Sequence, residues 1–238
     1  MLGLRRRHVI VSTAAFAAVL LGMGRGADAS GIYTTGDTGY DISWPQCGGT
    51  YPATPFGFGI VGVTDGRANT QNPCLASEYA WAKGGSRAPS VYMNLNYPSG
   101  KAPCQKRDTT CLMNYANTYG YNAAQAAWTY AQSQGATSTM WWLDIETANT
   151  WSSKTSLNAQ VIQGALTFLQ SQSGVIAGAY STPYQWGVIA GSYAPGVPVW
   201  SAGAPSTSPS SYCTKSFGGG SVWLTQYSAG SFDGDYAC

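Results

Sequence analysis

The stretch Met140-Trp141-Trp142-Leu143-Asp144-Ile145-Glu146 reads as a β-strand. Successive side chains on a strand point to opposite faces, so Asp144 and Glu146 share one face, with Cα atoms about 6.6 Å apart, while Leu143 and Ile145 take the other. Helix-forming runs lie on both sides of it. Residues 111–134 are rich in Ala and Tyr, with Gly120 as the one weak position, and residues 156–172 are amphipathic through Leu157, Val161, Leu166, Phe168 and Leu169. Upstream, residues 39–43 form a short strand ended by Trp44-Pro45, residues 57–63 an apolar strand, residues 75–83 a helix and residues 90–96 an alternating strand. Downstream, residues 174–180 add a buried strand.

Five strands separated largely by helices argue for a parallel sheet, and in a chain of this length for closure into a barrel. Residues 197–201 and 221–227 are strand-like, but residues 202–220 between them are rich in Ser, Pro and Gly with no helical period. The expected fold is therefore α/β, an irregular TIM-like (β/α) barrel with about five βα units followed by strands lacking helices.

The 238 residues are 44% hydrophobic and only 9% charged, which excludes a disordered polyelectrolyte and a coiled coil. Arg5, Arg6, Arg7 and His8 precede an apolar run, 9–23, and then Ala27-Asp28-Ala29, the layout of a cleaved export signal over residues 1–29. Residues 30–238 are expected to form one domain. Without the leader the chain keeps eight basic and nine acidic residues, a formal net charge of −1, so nucleic acid is not an expected partner. His8 is the only histidine, which removes Ser-His-Asp and Cys-His nucleophiles from residues 30–238. No second long apolar run and no lipid-bearing cysteine near the cleavage point follow, so no membrane anchor is expected. The expectation is a monomer that is secreted, extracellular or associated with the cell wall, using no cofactor.

Six cysteines, none in C-x-x-C spacing, suit three disulfides in an oxidising compartment. Fifteen pairings are formally open. The short loop between Cys104 and Cys111, and the final segment flanked by Cys213 and Cys238, favour those two pairs and leave Cys47 for Cys74.

The carboxylates mark the candidate site. Asp41, Asp144, Glu146 and at least one of Asp233 and Asp235 fall at expected strand ends, which in a parallel barrel converge on one mouth. Neighbouring carboxyls on an apolar rim have their pKa values pushed apart, giving a proton donor beside an anion, as glycosidic cleavage requires. Strand-end acids also cap helices and solvate loops. Oxygen ligands for Ca²⁺ from Asp41, Asp144, Glu146 and Asp235 are a further reading, although EF-hand spacing is missing. Tryptophans near the strands, among them Trp44, Trp142 and Trp200, either line the mouth as stacking platforms for sugar rings or pack in the core.

Read in order, these blocks resemble the lysozymes of glycoside hydrolase family 25. Residues 39–44 (GYDISW) resemble the family's opening G-x-D-[VI]-S; residues 58–66 (FGIVGVTDG) its second strand; residues 143–146 (LDIE) its L-D-[VI]-E; residues 178–186 (GAYSTPYQW) its G-x-Y-S block; and residues 225–228 (TQYS) its W-Q-Y-S. The third strand departs from the usual Y-H-F type ending, with Asn94 and Asn96 in its place, and Thr225 replaces a Trp. A family 18 chitinase motif is contradicted by Thr139 and Trp142 at its two earlier Asp positions. The resemblance implies a secreted muramidase-like hydrolase acting on peptidoglycan or a related polysaccharide. Glu146 would be its proton donor, with Asp41, Asp144 and Asp235 (or Asp233) completing the acidic set. Substrate contacts are expected from Asp65, Trp44, Asn96, Trp142, Tyr180, Trp200, Gln226, Tyr227 and Asp233. The alternative is a non-catalytic glycan-binding barrel that keeps the fold.

Overall fold

In the computed structural model, which describes residues 31–105 and 107–238, the central strand is β4 (Met140–Asp144). Its alternation sorts it between two cores. Met140 and Trp142 point into the barrel, whereas Trp141, Leu143 and Ile145 pack outward under the helices. The expected export segment lies outside the described residues.

Eight strands close one barrel in sequence order. β1 (Thr38–Ile42) is followed by a 3-10 turn, Trp44–Gln46; β2 (Phe58–Gly62) by α1 (Leu75–Ala82); and β3 (Ser90–Asn94) by α2 (Thr109–Ser133). After β4 come α3 (Thr155–Gln170), β5 (Ile176–Ser181), α4 (Pro183–Ala190) and β6 (Val199–Ala204). A 3-10 stretch, Pro209–Thr214, then leads to β7 (Val222–Ala229) and β8 (Phe232–Ala237). The five strand–helix units are present, the first with only a 3-10 turn, and the later strands lose their α-helices as expected.

One α-helix and one strand went unread in the sequence. The first is α4, whose start is written in its cap: the Thr182 hydroxyl accepts from the Gln185 N–H at 3.0 Å, and Pro183 occupies the first turn, where its missing N–H costs nothing. The second is β8, which pairs antiparallel with both β7 and β1 and closes the barrel. Ala229 pairs with Phe232, leaving Gly230-Ser231 as a two-residue hairpin loop with Gly230 at φ 71°. Because β8 runs down from the mouth while β1 to β7 run up to it, Asp233 sits near the rim and Asp235 one inward-facing position deeper.

The barrel interior is aromatic. Tyr33, Phe58, Ile60, Met140, Trp142, Trp200, Trp223 and Leu224 fill it, and burying each large side chain is worth about 2–3 kcal/mol. Trp142 and Trp200 lie 5.8 Å apart, and the Trp142 indole donates to the Tyr33 hydroxyl at 3.2 Å. Outside, α2 and α3 cross through two glycines. A Cβ on Gly120 would fall on the carbonyl oxygen of Val161, and one on Gly164 on that of Asn117, so the residue that looked weak for the helix is what lets the backbones approach.

The structure pairs Cys47 with Cys74, Cys104 with Cys111 and Cys213 with Cys238, leaving no free cysteine among the described residues.

Candidate active site

At the mouth, the strand ends enclose a cavity of about 140 Å³ lined by Asp41, Tyr92, Asp144, Glu146, Tyr180, Trp200, Gln226 and Asp233. Strand register builds its floor: Asn94, Asp144, Tyr180 and Trp200 are successive partners across β3 to β6. Asp41 faces Asp233 across the β1–β8 seam.

Each acid is held by a different wall. The Thr64 hydroxyl, two residues past β2, donates to Asn94 Oδ1 at 2.7 Å, and Asn94 Nδ2 in turn donates to Asp144 Oδ2. Asp144 is 5% exposed, and its Oδ1 is buried without a partner. Gln226 Nε2 donates to Asp41 Oδ2 at 3.0 Å, and the Tyr180 hydroxyl donates to Gln226 Oε1 at 2.7 Å. Glu146, just past β4, has its backbone carbonyl fixed by the Trp151 indole N–H at 2.8 Å, and its carboxyl is bonded by the side chain of Gln185 from α4. The other end of that amide, Gln185 Oε1, accepts from the N–H and hydroxyl of Thr147.

Every acid in the cluster is pushed toward its neutral form. Burial, then the charge of Asp233, raises the Asp41 carboxyl to about 7. Burial, then Glu146 and Asp41, raises Asp144 well above the carboxylate range, and burial raises Asp233. Glu146 is raised by burial and by Asp233, against the Gln185 hydrogen bond, which favours its charged form. Carboxyls this close titrate as a set, protonated in part at neutral pH. A protonated acid can serve as a donor beside one that is ionised.

The structure gathers Asp41, Asp144, Glu146, Tyr180, Trp200, Gln226 and Asp233 of the expected residues and separates the rest. Asp235 is fully buried beneath the pocket and does not line it, because it sits deeper on the descending strand; Asp233 is the late acid at the rim. Trp142 is 0% exposed and belongs to the barrel core, being one inward-facing position below Asp144. Asn96 is spent on loops: its Oδ1 accepts from the Ala68 N–H, and its Nδ2 donates to the Tyr97 carbonyl and the Tyr119 hydroxyl. Tyr227 alternates with Gln226 and so faces outward, its ring against Gly234. Asp65 is exposed in the loop after β2, and Trp44, 47% exposed on the 3-10 turn, lies beside Gly66 of that loop; neither lines the cavity. The expected ring of tryptophans is mostly core, with Trp200 alone among them on the pocket wall.

Three contributors lie outside the expected site set: Tyr92, Asn94 and Gln185. The alternation of β3 carries the signal for two of them, since Tyr92 and Asn94 share the inward face. Gln185 carries none, because its role depends on where α4 docks. Among the described residues, no group of three or more His, Cys, Asp or Glu side chains is arranged to hold a metal ion.

A closed barrel of eight strands with carboxyls lining its mouth defines the fold class, a distorted (β/α) barrel. The chain belongs to the family described as lysozyme-like protein 1, whose model matches residues 74–219, from α1 through the second 3-10 stretch. The match takes in Asp144 and Glu146 but not β1, β2, β7 or β8. The fold is similar to that of the catalytic domain of endolysin ply40 from bacteriophage P40 of Listeria monocytogenes, at 18% identity and a TM-score of 0.57, covering 87% of this chain and 95% of that one. It is also similar to the Clostridium perfringens spore cortex lytic enzyme SleM, at 11% identity and a TM-score of 0.60, covering 85% of this chain and 67% of that one. No curated protein sequence gives a significant match.

Proposed function

We propose that the chain is a secreted peptidoglycan hydrolase of N-acetylmuramidase type, cleaving β-1,4 linkages with Glu146 as proton donor. The observation that carries this reading is the pocket, where Glu146 and three further acids share about 140 Å³ at the barrel mouth. Family membership supports it, as does the likeness of fold to proteins named as an endolysin and a spore cortex lytic enzyme.

In this reading Glu146, protonated below its raised pKa, gives its proton to the leaving glycosidic oxygen. Positive charge then develops on the sugar ring until water adds to the anomeric carbon, and the proton that water gives up returns to the acid set. Asp41, ionised above about 7, supplies opposing negative charge from the β1 side. Asp144, with Oδ1 unpartnered, orients the N-acetyl group. Residues 1–29 serve as the export signal, and residues 30–238 act as one monomeric domain outside the cell, where three disulfides are stable.

Digestion of purified peptidoglycan followed by borohydride reduction tests the linkage. Reduced muramic acid is the expected new end. Reduced glucosamine would contradict the muramidase type, and the absence of any new end would contradict the hydrolase reading.

A further inference from the structure

Asp235 is fully buried and touches the pocket only through other residues. Its Oδ1 accepts from the Trp200 indole N–H at 2.8 Å, its Oδ2 has no donor, and its carboxyl meets that of Asp41. Gly39 and Gln226 are its register partners on β1 and β7. None of the four strands around it (β1, β6, β7 and β8) contains a Lys, Arg or His, and the charged neighbours facing it are Asp41 and Asp233. A buried carboxylate without a counter-ion is strongly disfavoured, and two carboxyls in contact are held together by a shared proton.

The direction of the surrounding hydrogen bonds says which acid keeps that proton. An indole N–H only donates, so Asp235 Oδ1 is an acceptor. Asp41 already receives one bond from Gln226 Nε2, as an anion would. The pair is therefore satisfied when Asp235 carries the proton on Oδ2 and gives a second bond to Asp41. We propose that Asp235 is a positioning residue that permanently holds the proton of the Asp41–Asp235 pair, fixing the plane of the Asp41 carboxyl and leaving Asp41 as the member that ionises. A chain of donors and acceptors then runs Trp200, Asp235, Asp41, Gln226, Tyr180, tying together β6, β8, β1, β7 and β5. The activity half of the test rests on the hydrolase reading; the spectroscopic half does not.

The test compares wild type with Asp235→Asn and Asp235→Leu, by infrared difference spectroscopy of carboxyl groups across pH and by kcat and KM on peptidoglycan. An amide can still donate to Asp41 and accept from Trp200, so Asp235→Asn is expected to lose one protonated-carboxyl band at neutral pH while leaving the Asp41 titration midpoint in place. Asp235→Leu removes the donor, so the Asp41 midpoint is expected to move up and kcat to fall by about tenfold or more with KM little changed; Asp235→Asn restores most of that loss. A downward shift of the Asp41 midpoint in Asp235→Asn, or no loss of a protonated-carboxyl band, would overturn the proposal, because Asp235 would then be the anion. If wild type proves inactive on peptidoglycan, or Asp235→Leu fails to fold, the spectrum of Asp235→Asn decides alone.

Discussion

Asp41 on β1 and Asp233 on β8 are register partners across the antiparallel seam that closes the barrel. Closing the sheet thus sets two carboxyls face to face, and burial and this neighbour move Asp41 from 3.8 to about 7. Between those values the folded state binds a proton that the unfolded chain has released. The contribution is fully present below the unfolded value and is lost as pH rises through the folded one, at about 1.4 kcal/mol per pH unit for each acid so held. The melting temperature is expected to fall as pH rises from about 4 to about 7. Thermal melts across that range check it, and a flat or rising profile would be inconsistent with a buried acid cluster.

Asp144 carries the same conflict without a counter-ion. Asp144→Asn keeps the shape and removes the cost of holding a buried carboxyl neutral next to Glu146 and Asp41, so stability at neutral pH is expected to rise by about 1 kcal/mol or more while turnover drops. Paired melting and rate measurements check this. A variant that loses both would show that the Asn94 contact outweighs the repulsion.

Gln185 is the polar partner of the Glu146 carboxyl and favours its charged form. Gln185→Ala removes that bond, so the Glu146 pKa is expected to rise and the alkaline limb of the pH–rate profile to move to higher pH. A limb that stays in place or moves down would remove Gln185 from the site.

Gly120→Ala would help an isolated helix by about 1 kcal/mol. Here the added Cβ meets the Val161 carbonyl across the α2–α3 crossing, and the expected result is a loss of about 1–3 kcal/mol. Denaturant unfolding measures the sign.

Much of the barrel was legible because β2 to β5 carry apolar runs separated by periodic helices, and because the seven residues 140–146, which contain β4, display two faces. β8 was not, since residues 228–235, Ser-Ala-Gly-Ser-Phe-Asp-Gly-Asp, read as a polar loop until the Gly230-Ser231 turn is recognised as a hairpin. That single omission also hid which late acid reaches the rim, as depth on a descending strand runs opposite to depth on an ascending one. Asp41, Asp144 and Glu146 could be found from strand ends alone. Trp142 and Asn96 were misplaced by one step of strand position: the side chain at the right face lay too deep in one case and beyond the pocket in the other.

The central claim is that Glu146 delivers the proton. The most direct measurement is release of reducing ends from purified peptidoglycan by wild type and by Glu146→Gln, with melting curves and pull-down on the same polymer run alongside. The account predicts release by wild type and a loss of about 10²–10⁴-fold in the variant, with fold and binding retained. A Glu146→Gln protein that releases reducing ends at the wild-type rate would contradict it.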